Sequence, residues 1–355
     1  MSIPYSICEK QGWLFGAEHA KLSSLSYPPK ECPAKWSGNS DAISNFEKDI
    51  CDGRFMPEKL SDPLSSKKCQ DIVLALTDRY GFPVRTVINM ETGIVRTDPY
   101  FSEKDLADFY SSYYRTIYTW REIGMQRLRD DQISRGNRII AFINQLNGTR
   151  AGTVLDIGCG LGATLLPFRD AGWKTKGVDY GADLIEKGKE DDLDLIVGGH
   201  EDLPLDFHCD LIILSHVLEH QRDPISFLRK LADRWPSALL YIEVPGILNI
   251  HNAYEGNIRM YLQNAHAFHF CRSSLCQIAQ IAGFECLSAD ESIQGLFKIA
   301  AQARIPYKTD AKEIVNYLKK VEFRHKFRLV NEIRKLAKRI KSKLRQKLTF
   351  QALFS

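Results

Sequence analysis

A short apolar run, Val154-Leu155, leads into Asp156-Ile-Gly158-Cys-Gly160-Leu-Gly162 and then into a helix-like stretch from Ala163 to Ala171. Three alternate glycines between a strand and a helix dictate a tight turn, and a helix start behind it offers free N–H groups to a ligand. The unit then repeats. Thr175-Lys-Gly-Val-Asp179, Asp194-Leu-Ile-Val197, Cys209 to Ser215 and Ala238 to Val244 read as strands, separated by helix-length segments such as Pro224 to Arg234. This alternation, with near-continuous apolar runs, predicts an α/β fold whose doubly wound, mostly parallel sheet is covered on both faces. Ligands of such sheets sit beyond the carboxyl ends of the strands. Ala282 to Ser288 and Gln294 to Ala301 stand too close for a helical crossover and predict a closing antiparallel hairpin.

Asp156 lies two residues before Gly158, at the strand end. A carboxylate there repels a pyrophosphate but pairs with an ammonium, such as that of S-adenosylmethionine (SAM). The same residues satisfy the looser dinucleotide pattern as Gly158-x-Gly160-x-x-Ala163, and a glycine turn without a ligand is a third reading. Asp179 ends the second strand, 17 positions after Gly162. It can accept both ribose hydroxyls of an adenosine, which serves SAM and NAD equally.

From Val154 to Gln302 the motifs resemble, in order, those of the class I SAM-dependent methyltransferases, in the branch that carries H-V-L-E-H after the fourth strand. Leu155 to Gly162 matches the first motif, Gly177-Val-Asp179 the second, Glu201-Asp-Leu-Pro204 the adenine-side loop, and Ser215-His-Val-Leu-Glu-His220 the fourth-strand motif. The resemblance implies a Rossmann-like sheet ending in an antiparallel pair, where a standard dinucleotide fold ends on parallel strands. It implies SAM as cofactor, held by Asp156, Gly158, Cys159, Gly160, Gly162, Asp179, Tyr180, Glu201, Asp202, Ser215 and His216. Cys159 serves as a small side chain in a tight turn. One position departs: where the family often places an aspartate before the adenine loop, this chain has Gly199.

The 355 residues suffice for one large domain or two smaller ones, and 44% apolar with 26% charged residues is ordinary for a soluble globular protein. No apolar run approaches the length of a membrane span, and Met1 to Gly16 lacks the pattern of a secretory signal. Nine scattered cysteines without a C-x-x-C pair read as free thiols in a reducing, cytoplasmic setting. Residues 1–65 read as an irregular extension broken by prolines. Residues 66–120 read as a small module of short strands, followed by a helix capped by Ser102-x-x-Asp105 that carries an aromatic stripe. Residues 121–305 hold the sheet, and 306–355 form a C-terminal helix.

The segment from Cys69 to Tyr118 resembles the zinc-ribbon module that precedes some sugar-modifying methyltransferases, in which two C-x-x-C pairs bracket a DRYG-type segment. Here the pairs become Cys69 with Ile72 and Asn89 with Thr92, so three of four ligands are gone and no metal is expected. His216-x-x-Glu219-His220 also matches an inverted zinc-protease signature, but a strand end is the wrong context for it. Helix capping is the bland role for Glu219 and His220.

Ile247 to Phe270 is long for a connection and rich in polar aromatics, as substrate loops are. Its His266 and His269 are the candidate general bases, His266 slightly preferred. The last 37 residues carry 13 Lys or Arg against Glu322 and Glu332, a net of +11, which leaves −7 for the rest. There Leu318, Val321, Leu329, Ile333, Leu336, Ile340, Leu344 and Leu348 form one helical stripe with basic residues around it. Such a helix docks on an anionic membrane surface or on the acidic body of its own chain; with no aromatic among the basic residues from Lys335 to Arg345, nucleic acid is not the expected partner.

The resulting expectation is a cytoplasmic SAM-dependent methyltransferase, peripheral at the membrane through its tail, acting in glycan biosynthesis on a sugar, a small molecule or a lipid-linked precursor. A non-catalytic binding protein that keeps the fold is the alternative, and an NAD-dependent oxidoreductase a more distant one.

Overall fold

The computed structural model describes residues 3–14, 20–26, 39–65, 70–118, 122–147, 151–300 and 308–328. Its strands, in chain order, are β1 (Pro57–Glu58), β2 (Asp71–Thr77), β3 (Pro83–Asn89), β4 (Val95–Thr97), β5 (Tyr100–Phe101), β6 (Thr153–Ile157), β7 (Lys174–Asp179), β8 (Leu195–Val197), β9 (Leu211–Ser215), β10 (Leu239–Glu243), β11 (Phe268–His269), β12 (Phe284–Ala289) and β13 (Gln294–Ile299). Seven of them form the main sheet in the order β12-β13-β10-β9-β6-β7-β8. The pairs from β8 through β10 are all parallel, while β13 runs antiparallel to both β10 and β12. The chain reverses between β6 and β9, so their carboxyl ends open a crevice there. β6 is buried because both its faces are covered, by the helix 122–147 and the short helix Leu166–Asp170 on one side and by the core on the other.

A second sheet, β11-β4-β3-β2, is antiparallel. Three of its strands come from the small N-terminal module. The fourth, β11, comes from the segment read above as a surface substrate loop. Its pairs, Phe268 with Arg96 and His269 with Val95, bind that segment into the module. Thr97 and Tyr100 donate side-chain hydrogen bonds to the carbonyls of His266 and Ala265, at 2.7 and 2.6 Å. Ile250, Ile258, Tyr261 and Leu262 are buried. The loop expectation is therefore corrected: residues 247–270 are largely core, because their aromatic and aliphatic side chains find partners in a distant part of the chain.

The irregular extension is corrected as well. Asn39 caps the helix Ser40–Cys51 by accepting from the amides of Asp41 and Ala42. That helix turns Ala42, Phe46 and Ile50 inward at a spacing of four. Phe46 lies at the centre of a cluster of rings, with centroids 4.9 Å from Phe82, 5.2 Å from Phe55, and 5.1 Å from Phe109 and from Tyr113.

At the ribbon-like positions, Asn89 and Thr92 both donate to Asp62 Oδ2 at 2.5 Å. Hydrogen bonds to one carboxylate tie together what a zinc ion ties in a ribbon. Cys69 lies outside the described residues. In the DRYG-type segment, Asp78 is fully buried and accepts from the amides of Tyr80, Phe82 and Asn264.

Helix 311–328 opens the basic C-terminal segment. Leu318 and Val321 are buried beside Ala311, Ile314, Leu22 and Ile250, and Glu322 accepts from Ser24. This part of the expected membrane stripe thus packs on the body of the chain; the stripe from Leu329 onward lies outside the described residues. Among the described residues no helix is long and apolar enough to cross a membrane.

Candidate active site

The glycine turn follows β6 as expected. Gly158, Gly160 and Gly162 have φ of 73°, 57° and 70°, a left-handed run that side chains with a Cβ resist. The turn is held from two sides. Asp179 Oδ2 accepts from the Gly160 amide at 2.9 Å, and its Oδ1 accepts from Gly181 at 2.7 Å. From helix 122–147, the Gln132 amide donates to the Cys159 carbonyl and accepts from the Ala163 amide. Gln132 gave no signal in the sequence, because a lone glutamine on a helix looks solvated.

Asp156 ends up 2% exposed beneath the turn. Burial pushes its carboxyl up to about 8, with Arg135 opposing and Asp179 adding to the rise. Cys159 is buried, and its thiol is pushed well above its ordinary value by burial and by Asp156 and Asp179, so it is not a nucleophile. Arg115 reaches the Asp179 and Asp183 carboxylates from the aromatic helix of the module.

On the adenine side, Tyr180 donates to Glu201 Oε1 at 2.6 Å. A Cβ at Gly199 would collide with both the Tyr180 hydroxyl and the Glu201 carboxylate. A Tyr–Glu bridge between two exposed side chains occupies the space beside Gly199. Asp202 is used locally, since its Oδ2 accepts from the Gly199 amide at 2.8 Å and holds the turn. Asp202 thus supports the loop through Oδ2.

Ser215 ends β9, buried, and its hydroxyl has no hydrogen-bond partner among the described residues. His216 follows with φ of 58°, a strained conformation for a non-glycine residue and one that recurs at functional positions. Its Nδ1 lies 3.2 Å from Oε1 of Glu219, and its side chain is 39% exposed. Burial alone would raise the Glu219 carboxyl, yet the hydrogen bond with His216 and the neighbouring imidazoles hold it below the ordinary carboxylate value. Glu219 and His220 do not cap the next helix; Asp223 does, accepting from the Ser226 amide at 2.9 Å.

The two expected bases sit deeper. His266 and His269 are both 3% exposed. Burial takes His269 down to about 4, and neither ring nitrogen has a hydrogen-bond partner among the described residues. Burial and the neighbouring His220 and His269 keep His266 well below its ordinary value. Neither ring lies on an open edge, so the expectation of a base there is corrected: β11 draws the segment inside. The imidazole that does reach the surface of the crevice is His216. Tyr110 and Tyr114, from the aromatic stripe that follows Ser102, edge onto His220 with centroids 5.9 Å away. They are aimed there by one π-helical turn, Tyr110–Tyr114.

A parallel sheet with its last strand inserted antiparallel, carrying a glycine turn between two acids, defines a Rossmann-like domain of the methyltransferase kind. In agreement, the family model described as "Methyltransferase domain" matches residues 127–289. Over these residues the chain is similar to methyltransferase domains. The cypemycin N-terminal methyltransferase of a Streptomyces species is 27% identical over 125 residues, 33% of this chain and 51% of that protein. The chain thus spans about half the length of that curated relative. Among solved structures, a SAM-dependent methyltransferase from Archaeoglobus fulgidus is 25% identical, covering 44% of this chain and 69% of its own, with a TM-score of 0.36. The magnesium protoporphyrin IX methyltransferase of Synechocystis PCC 6803, solved with SAM, is 16% identical, covering 55% and 94%, with a TM-score of 0.38.

Proposed function

We propose that this chain transfers a methyl group from SAM to an acceptor that enters beside His216. The observation that carries the reading is the left-handed glycine turn set between buried Asp156 and half-buried Asp179. SAM would supply an electrophilic methyl on a sulfonium. The residues fit it: a buried acid driven up by desolvation wants a cation, and the SAM ammonium is one. Asp156 takes that ammonium, Asp179 the ribose, and Tyr180 with Glu201 flank the adenine. The buried Ser215 hydroxyl faces the same crevice with its donor free.

His216 is the base in this account. The Glu219 carboxylate only accepts, so Nδ1 of His216 carries the proton and Nε2 keeps the lone pair, the arrangement of an oriented imidazole base. His216→Asn keeps a residue that tolerates left-handed backbone. It should lower turnover about 10²-fold, the low end for a positioned base, while SAM affinity changes little. Unchanged turnover would remove His216 from the chemistry.

Protons report on Asp156 directly. With its carboxyl near 8 in the free protein, Asp156 is mostly protonated at pH 7. Pairing with an ammonium favours the charged form, so binding releases a proton. Affinity should therefore rise with pH up to about 8 and flatten above it. Calorimetry at pH 7 in two buffers of different ionisation enthalpy should show release approaching one proton per SAM; heats independent of buffer would contradict the assignment.

The acceptor is read as a hydroxyl of a sugar or glycan precursor, supported by the ribbon-like module and by a base able to take a hydroxyl proton. The peptide relative favours a second reading, an N-terminal amine. Methyl-labelled SAM offered with a panel of nucleotide sugars and of peptides with free N-termini separates the two. Labelling of peptides alone would overturn the first.

A further inference from the structure

A second group of polar side chains lies behind His216, on residues that no step above uses as ligands. Glu219 and His220 come from the turn after β9, and His266 from the connector before β11. One donor atom from each can be chosen so that all three lie within 4.8 Å of one another. His220 Nδ1 stands 2.8 Å from the Ala265 carbonyl oxygen. A carbonyl only accepts, so Nδ1 holds the ring proton and Nε2 presents a lone pair. That lone pair faces Glu219 Oε1 at 4.0 Å, too far for a hydrogen bond. The other carboxylate oxygen, Oε2, is buried with no hydrogen-bond partner among the described residues. Glu219 as a whole is 1% exposed, and its ion-pair partners among the described residues are imidazoles alone, His216 and His220. His266, held neutral by burial, adds a further lone pair. Apart from the His216 N–H on Glu219 Oε1, no donor among the described residues hydrogen-bonds these converging acceptors, an arrangement that is costly unless a cation satisfies it.

We infer that Glu219, His220 and His266 form a binding site for a divalent transition-metal ion of the zinc class. One carboxylate with two imidazoles is a three-ligand set that leaves a coordination position for an outside ligand, and nitrogen donors favour zinc-like ions over magnesium or calcium. The hydrogen bond from His220 Nδ1 to Ala265 is the kind of outer contact that fixes the tautomer of a ligating imidazole. The site is distinct from the ribbon-like positions, where Asp62 already binds Asn89 and Thr92. The expectation of a metal-free chain rested on those positions and on setting aside His216-x-x-Glu219-His220 as a protease signature; the present cluster takes Glu219 and His220 from that motif and His266 from elsewhere in the chain. If the methyl-transfer reading holds, the open position is where an acceptor oxygen or nitrogen would be held beside His216. Metal binding itself does not depend on that reading.

The test uses the full chain, stripped with a chelator and titrated with zinc chloride in a calorimeter without SAM. The expected result is one ion per chain, with Glu219→Gln and His220→Gln each weakening binding by about tenfold or more. SAM binding by the same variants shows that they are folded. Cobalt substitution then reads the donors: a spectrum of nitrogen and oxygen ligation supports the site, whereas a thiolate charge-transfer band would move the ion to the cysteines and overturn it. No zinc uptake by the unmodified chain, or folded Glu219 and His220 variants that bind zinc as well as the parent, would also overturn it. Because zinc is titrated without SAM, loss of the metal site and failure of methyl transfer are separate outcomes.

Discussion

Asp179→Ala should lower SAM affinity by about 10²-fold or more, roughly 3 kcal/mol. The side chain has two jobs that fail together. It is the acid placed for the ribose hydroxyls, and hydrogen bonds to a charged acceptor are worth about 1.5–3 kcal/mol each. It also accepts from the Gly160 and Gly181 amides, so its removal frees a turn whose glycines have no intrinsic preference for the bound shape. Asp179→Asn separates the two: the amide oxygen can keep one backbone bond while the charge is lost. An intermediate affinity for Asn, with unchanged denaturation midpoints for both variants, is the expected pattern. Wild-type affinity in the alanine variant would show that the ribose lies elsewhere.

Phe46→Ala should cost about 3–5 kcal/mol of stability, the range for removing a fully buried aromatic ring. Phe46 is 0% exposed and touches four rings from three separate places in the chain, Phe55, Phe82, and Phe109 with Tyr113. The cavity left behind cannot collapse easily, because the surrounding rings pack edge to face against one another as well. A denaturant titration measures the loss. A change under about 1 kcal/mol, typical of a surface site, would mean that the helix Ser40–Cys51 is not docked on the module.

The main sheet was legible because its signals are local. Asp156 to Gly162 encodes a turn, Asp179 a strand tip, and the close spacing of Ala282 to Gln294 a hairpin. The insertion of β13 between β10 and β12 was legible only as antiparallel pairing, since neighbour choice depends on which edge is free. The helix Ser40–Cys51 carries Ala42, Phe46 and Ile50 at a helical spacing, but the prolines around it masked a twelve-residue element. Residues 247–270 were misread for a different reason. Histidines and tyrosines there look like a polar surface until Thr97, Tyr100 and β4 arrive from more than 150 positions away to bury them. The same contact took His266 and His269 out of reach as bases and set His266 beside Glu219. At the adenine side, Gly199 looked like a missing acceptor, while the Tyr180–Glu201 bridge beside it joins residues 21 apart.

The central claim is that the crevice beyond β6, β7 and β9 binds SAM. Calorimetry of the full chain with SAM, with its demethylated product and with NAD tests it most directly. The account predicts one molecule of SAM or of its product bound per chain, with affinity on the order of micromolar, about −8 kcal/mol, and no heat with NAD. Tight binding of NAD with no heat from SAM would contradict it.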